Sequence, residues 1–391
     1  MHHTFDVIVI GAGIMGCATA YELAQRGLKV GVVEKRQVGA GSTGKSSAII
    51  RQHYSNALTA SMALWSLRVF QDFDGRVGGE CGFRRTGFVA LVAGRDRAGL
   101  EANIALQQRL GIQTEALDPA ALAEILPTMR LDDIPIAAYE PESGYADPYL
   151  TVTSYAAAAR RHGARFFLGA PVTGIFFQGG RVTGVETPQG RLAAPVVVNA
   201  TGAWGAGVAR LAGVEAPIRP CRAQVAFFRR PAGDEAGHPV VADFLNAIYF
   251  RPETGALTLV GLIDPGEANA VIDPDACDEQ MEAGFVLEVG ERLIARYPGL
   301  ERGQSTGGYA AFYAITPDWH PIIDEAPAGS GHFICAGFSG HGFKLGPAVG
   351  RMMADRILAT PDPVFDPHLF RLDRYAQGQP VRGQYEYSIV G

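Results

Sequence analysis

The run Gly11-Ala12-Gly13-Ile14-Met15-Gly16 has glycines at a spacing that suits one kind of chemistry. Gly11 permits a tight turn, Gly13 lets backbone approach a pyrophosphate, and Gly16 lets a helix pack closely on a strand, with the helix N-terminus facing the phosphates. Glu34 stands 18 residues after Gly16, where a carboxylate can accept hydrogen bonds from ribose hydroxyls. A second such stretch, GAGSTGKSSAIIR from Gly39 to Arg51, offers backbone N–H groups, the hydroxyls of Ser42, Thr43, Ser46 and Ser47, and the Lys45 ammonium to a further length of phosphate. A third, CAGFSGHGFKLGPAVGRMMAD from Cys335 to Asp355, sets His341 and Lys344 among Gly337, Gly340, Gly342 and Gly346. A lysine at a helix start opposes the macrodipole, so capping explains Lys344 poorly. His341 is either a donor within a site or a solvent-facing loop residue.

These residues need elements to hold them. The apolar run after Phe5 predicts a buried parallel strand. Ala18, Ala20, Leu23 and Ala24 recur at helical spacing, Gly27 ends that helix, and KVGVVE predicts the next strand. The glycines therefore fall in the turn of a βαβ unit, which makes a dinucleotide the expected ligand. That unit does not choose between NAD and FAD, but a nicotinamide dehydrogenase rarely needs the loop around Lys45. LAAPVVVNATGAW, Leu192 to Trp204, adds a buried strand ending in small residues, where backbone can lie against a cofactor.

At 391 residues the chain exceeds the roughly 250–300 residues at which single cores stop growing, so two domains are expected. Alternating runs from Pro217 to about Gly303, with one helical stretch, predict a mixed sheet with a covering helix inserted between parts of the cofactor domain. The expected fold is α/β: a Rossmann-like domain of residues 1–80, 145–216 and 304–391, interleaved with an α+β, mixed-sheet substrate-binding domain of residues 81–144 and 217–303. Leu117–Pro127 predicts a short helix with Asp118 as its cap and Pro119 at its first position. A net charge of −6 with scattered lysines and arginines gives no basic surface for nucleic acid or acidic lipid. Val7–Tyr21 is too short and too glycine-broken to span a membrane, and it lacks a basic leader. Five widely spaced cysteines without a CxxC pair suggest free thiols, no metal site and a reduced, cytoplasmic setting.

GAGIMG, GSTGKSSAIIR, NATGAW, TPDWHPIID (Thr316–Asp324) and GFSGHGFK, in that order, resemble the motifs of the D-amino acid oxidase superfamily of FAD enzymes, nearest its sarcosine oxidase and sarcosine oxidase β-subunit branch. The resemblance covers most of the chain and is weakest over about 85–140 and 225–300. It implies FAD held by Gly11, Gly13, Ile14, Met15, Gly16, Glu34 and Lys35, and by Gly41, Ser42, Thr43, Lys45, Ser46, Ser47 and Ala48. It adds Val172 at the adenine, then Ala200, Thr201, Gly202 and Trp204, then Gly337, Ser339, Gly340, Gly342, Phe343 and Lys344. The implied reaction is hydride transfer to flavin N5 from a small amino acid or a secondary or N-methylated amine that carries a carboxylate, giving an imine that hydrolyses. In that branch the arginine after the paired isoleucines and the lysine of GFK hold the substrate carboxylate, which carries the role to Arg51 and Lys344. An arginine fork and a lysine point charge suit that anion, each charge-assisted bond contributing about 1.5–3 kcal/mol. Amides of residues 340–344 would stabilise negative charge on the reduced ring, and His341 would donate at its edge unless it faces solvent. Tyr249 either lines the pocket or packs within the sheet.

Two departures shape the expectation. Ala311 stands in GGYAAFYAIT where monomeric sarcosine oxidases attach FAD through a cysteine, so FAD is expected to bind noncovalently. The lysine those oxidases use with oxygen would fall at or near Thr258, so electrons are expected to pass to another acceptor, a protein included. Two rivals stand beside this reading. One is an FAD-dependent 2-hydroxy acid dehydrogenase with His53 or His341 as base. The other is a flavin-carrying β subunit or assembly factor that acts only in a hetero-oligomer.

Overall fold

The computed structural model describes residues 3–233, 237–263, 271–360 and 364–382. Val7–Ile10 is buried at every position, as a strand covered on both faces must be. It pairs in parallel with Val30–Glu34 on one side and Val196–Asn199 on the other. These three are the centre of a six-stranded sheet, with Arg165–Leu168 at one edge, then His332–Ala336 and the antiparallel Ile322–Glu325 at the other.

The helix Ile14–Gln25 packs between two others, Pro148–Arg161 and Gly342–Ile357. Glycine sets the second crossing: a Cβ on Gly346 would come within 2.4 Å of the Ile14 side chain, and one on Gly350 within 2.7 Å of the Ala18 backbone. Four residues apart, these glycines lie on one face and let the two helices approach closely.

A second, eight-stranded sheet runs Gln304–Ile315, Arg219–Arg229, Leu257–Leu262, Ile248–Glu253, Val240–Asp243, Phe88–Val92, Ile136–Glu140 and Glu115–Leu117. It is antiparallel except where Val240–Asp243 meets Phe88–Val92, hence mixed. Helix Ala283–Arg296 covers one face through Val289 and Leu293, which pack with Phe228, Phe250 and Val260. Gln304–Ile315 pairs along its length with Arg219–Arg229, so a division by sheets falls after Ile315 rather than at residue 304. A small three-stranded sheet of Ile49–Ile50, Gly144–Tyr145 and Arg84–Arg85 carries the chain that leads to Arg51.

Local chemistry accounts for the helix starts. Asp118 accepts from the Ala121 amide at 2.9 Å ahead of Pro119–Ile125, and Asp147 accepts from Leu150 at 2.8 Å ahead of Pro148–Arg161. The five cysteines are free thiols, of which Cys277 is half-buried and the others buried. Among the described residues no His, Cys, Asp and Glu cluster could hold a metal ion, and no helix is long and apolar enough to cross a membrane.

Candidate active site

Two cavities, of about 340 Å³ and about 130 Å³, share the walls Ile14, Met15, Ser42, Thr43, Gly202 and Phe338 and so form one cleft between the sheets. At its larger end the glycine turn is sterically compelled. Gly11 has φ +102°, and a Cβ there would lie 2.6 Å from the Ala200 carbonyl oxygen; a Cβ on Gly16 would lie 1.9 Å from the Gly11 oxygen. Gly13, Ile14 and Met15 line the cavity at the start of their helix, where first-turn amides have no intrahelical acceptor. Thr43 Oγ1 takes one of them, accepting from the Ile14 amide at 3.0 Å.

Glu34 ends its strand at the same place. Its Oε2 accepts from the Ala12 amide and its Oε1 from the Arg36 amide, both at 2.8 Å, which orients the carboxylate along the cavity wall with lone pairs to spare. Val172, Ala200, Thr201 and Trp204 complete this end. Lys35 lays its Nζ 3.9 Å from the centre of the Trp204 ring and pairs with Asp275, whose carboxyl it holds below the usual range. Asp275, Phe338 and the Cys335 thiol are walls that sequence reasoning missed, and burial pushes the Cys335 thiol far up.

The smaller end is aromatic. Tyr249, Tyr309 and Tyr313 line it together with Ala311, Ser339, Gly340, Gly342, Phe343, Lys45, Ser46 and Ser47. Gly340, at φ +86°, leaves room for the Tyr313 ring, which a Cβ would meet at 2.9 Å. Gly261 does the same for Tyr249, its strand partner, whose ring stands 2.5 Å from where a Cβ would be. Paired residues share a face of an antiparallel sheet, so Leu257 and Leu259 share the cleft-facing side with Gly261 and Tyr249. Thr258 points the other way, into hydrogen bonds with His238 Nε2 at 3.1 Å and Arg230 Nη1 at 3.2 Å. Lys45 pairs with Glu279.

Of the remaining expected residues, Gly16, Ala48, Gly337, Arg51, His341 and Lys344 are not walls of either cavity. Gly16 and Gly337 serve close packing, a Cβ on Gly337 lying 2.5 Å from Thr316. Arg51, Lys344 and His341 are buried and gather around Tyr54. The Arg51 guanidinium lies 4.7 Å and the Lys344 Nζ 5.9 Å from the Tyr54 ring centre, and the Tyr54 hydroxyl is 3.3 Å from His341 Nδ1. Lys344 follows Phe343 on the helix, one residue from the cleft wall. Its ammonium donates to the His341 carbonyl at a long 3.4 Å, and Arg51 donates to the His53 carbonyl at 2.5 Å. Burial, then Arg51, push the Lys344 ammonium well below its ordinary range.

His341 is buried, not solvent-facing. Its Nε2 lies 2.9 Å from the Trp319 carbonyl, which can only accept, so Nε2 carries the proton and Nδ1 accepts from Tyr54. Burial and the Lys344 charge push this imidazole well below its ordinary value, and burial pushes the Tyr54 hydroxyl up to about 12, so both are neutral. The TPDWHPIID run presents that carbonyl: Asp318 accepts from Arg374 Nε at 2.8 Å and Nη2 at 2.9 Å, and from the Val381 amide at 2.9 Å. Burial opposes its ionisation, but Arg374 and the Val381 amide hold the Asp318 carboxyl down to about 2.

Behind Arg51, His53 is enclosed by Asn103 Nδ2 at 3.2 Å and Gln107 Nε2 at 3.3 Å. Glu140, fully buried, accepts from the Gln52 amide at 2.8 Å and the Ser143 hydroxyl at 2.7 Å.

Comparison with known proteins matches this arrangement to a large group. A sequence model described as FAD dependent oxidoreductase (DAO) matches residues 6–356. Mitochondrial sarcosine dehydrogenase of Homo sapiens is 30% identical over 369 residues, which is 91% of this chain and 40% of the relative. The mitochondrial pyruvate dehydrogenase phosphatase regulatory subunit of Mus musculus is 26% identical, over 90% of this chain and 41% of the relative. The chain thus spans about two fifths of the length of these curated relatives. The crystal structure of L-proline dehydrogenase from P. horikoshii superposes with a TM-score of 0.89 at 28% identity, covering 97% of this chain and all of that one.

Proposed function

The chain belongs to the DAO family of FAD-dependent oxidoreductases, and from that premise we propose that it oxidises a small amino acid or a secondary or N-methylated amine that carries a carboxylate. The observation that carries this reading is the pair of buried cations, Arg51 and Lys344, brought together around Tyr54 from opposite ends of the chain. Burying two like charges side by side is costly, and an anion is what such a place would hold. Sarcosine dehydrogenase and L-proline dehydrogenase, by their names, act on substrates of this class.

The cleft suits a dinucleotide on its own evidence: a turn that only glycine can make against Ala200, first-turn amides without intrahelical acceptors, and a carboxylate oriented at the strand end. Glu34 would take ribose hydroxyls, the amides of Gly13 and Met15 the phosphates, and the start of the Gly342–Ile357 helix the polar edge of the ring. Bound FAD would supply the two-electron oxidant, receiving hydride from the carbon beside the amine nitrogen. Arg51 and Lys344 would hold the carboxylate so that this carbon lies in the aromatic end of the cleft. His341 and Tyr54, both neutral, would fix the Lys344 stem without adding charge. The imine formed would hydrolyse once it meets water.

The hydroxy acid alternative needs a base at the carbinol, and His341, the histidine beside Lys344, has its ring nitrogens engaged by the Trp319 carbonyl and the Tyr54 hydroxyl. An acceptor other than oxygen is part of the proposal, because Leu257, Thr258 and Leu259 supply no lysine where the monomeric oxidases carry one. The named regulatory subunit keeps the partner reading in view, and one experiment separates the two. Purified, FAD-loaded chain is mixed anaerobically with sarcosine, dimethylglycine, proline, D-amino acids and 2-hydroxy acids, and the flavin absorbance is followed. Bleaching by a member of the amino acid set is expected. Bleaching by 2-hydroxy acids alone, or by nothing, would sink the proposal.

A further inference from the structure

Glu140 is fully buried at the end of Ile136–Glu140 and has no place in the chemistry above. Its Oε2 accepts from the Gln52 amide and the Ser143 hydroxyl, while Oε1 lies 3.5 Å from His53 Nδ1. Gln52 directly follows Arg51, and Arg51 donates to the His53 carbonyl, so this carboxylate fixes the piece of chain that carries the arginine. A carboxylate taken fully out of water is strongly disfavoured unless positive charge lies near it, and two buried cations repel unless an anion lies near them. Each difficulty is the remedy for the other.

We propose that Glu140 is the positioning residue of the carboxylate clamp: it fixes the Arg51 segment and is the buried countercharge to the two cations. Two cations and one buried acid leave a single positive charge, which matches a ligand with one carboxylate. The inference rests on Arg51 and Lys344 forming that clamp. Lys344 lies against the Tyr54 ring from the chain after Ile50 and the His341 carbonyl at the start of its own helix, and it feels the charges of Arg51 and of Glu140 in the eight-stranded sheet. Of these four, Glu140 alone is negative. Its charge raises the Lys344 affinity for the proton, against burial and Arg51, which lower it.

Acetate titrated into the FAD-loaded protein, followed by the visible flavin spectrum, reads the clamp without turnover. In the wild type, acetate affinity falls as pH rises through deprotonation of Lys344, and Lys344→Met removes that fall. Glu140→Gln keeps the shape and discards the charge, and moves the fall to lower pH by about one unit. Glu140→Asp keeps the charge but withdraws it by one methylene, and moves the fall less. A change that merely loosened the core would admit water to Lys344 and move the fall upward, so direction separates the two effects. If Glu140→Gln does not retain FAD, Glu140→Asp decides by the same criterion. A fall left in place or moved upward in a folded variant overturns the role of Glu140 and leaves the clamp standing. A fall that survives Lys344→Met overturns the clamp and this role with it.

Discussion

Lys344 shows how far a single residue type can be read. Its place at a helix start argued against a cap, and the structure buries it beside Arg51 with one long hydrogen bond. If the two hold a carboxylate, Lys344→Met weakens binding of carboxylate ligands by about 10- to 100-fold, the loss of one charge-assisted bond of about 1.5–3 kcal/mol. Isothermal titration with a substrate analogue on FAD-loaded protein measures this, and unchanged affinity would remove Lys344 from the clamp. His341, marked by the same motif, is buried rather than solvent-facing. Its partners, Tyr54 and the Trp319 carbonyl, come from elements distant in sequence. Asp275 and Tyr313 were illegible for a related reason: one lies in an irregular segment and the other alternates within a strand, so neither belongs to a pattern that points at a site.

Among elements, those with local causes were plain. The βαβ turn, the Asp118 cap and the Gly27 stop each follow from a few adjacent residues. Pairings between distant strands do not: nothing within GGYAAFYAI names Arg219–Arg229 as the partner of Gln304–Ile315. The TPDWHPIID loop was legible as a motif but not as a device. Its Asp318 is tied to Arg374 of the later 372–374 turn, and through it the loop offers the Trp319 carbonyl to His341. The Asp318 carboxyl is depressed from the ordinary value near 3.9 to about 2. Its contribution to stability is therefore complete above about pH 4 and is lost as pH falls toward 2. Urea unfolding across that window is expected to show the loss in the wild type and a flatter dependence in Arg374→Met. At neutral pH the same variant is expected to unfold about 3–5 kcal/mol more easily, because it leaves a buried carboxylate without its partner. Equal stability of the two proteins at pH 7 would mean that the loop is held by other contacts.

At the scale of the whole molecule, the interleaved order of the chain is what builds the cleft. Gly11 to Met15 and Ala200 to Trp204 come from the six-stranded sheet, whereas Tyr249, Ala311 and Tyr313 come from the eight-stranded one, and the loop from Gly41 to Ser47 runs between. The cavities that share Ile14, Thr43, Gly202 and Phe338 thus have walls drawn from both halves of the fold. A ligand lying along them touches residues that the unfolded chain scatters over more than 300 positions, and it has nothing comparable to bind once the chain unfolds. Cofactor and fold are then linked by mass action: free FAD at a thousand times its dissociation constant adds about 4 kcal/mol to the unfolding free energy. With Ala311 in the cleft and the Cys335 thiol held protonated by burial, the flavin is expected to leave with the supernatant on acid precipitation, so the linkage is reversible. The midpoint of thermal unfolding should therefore climb with the logarithm of added FAD, and a midpoint indifferent to FAD would mean that the two sheets hold together without it.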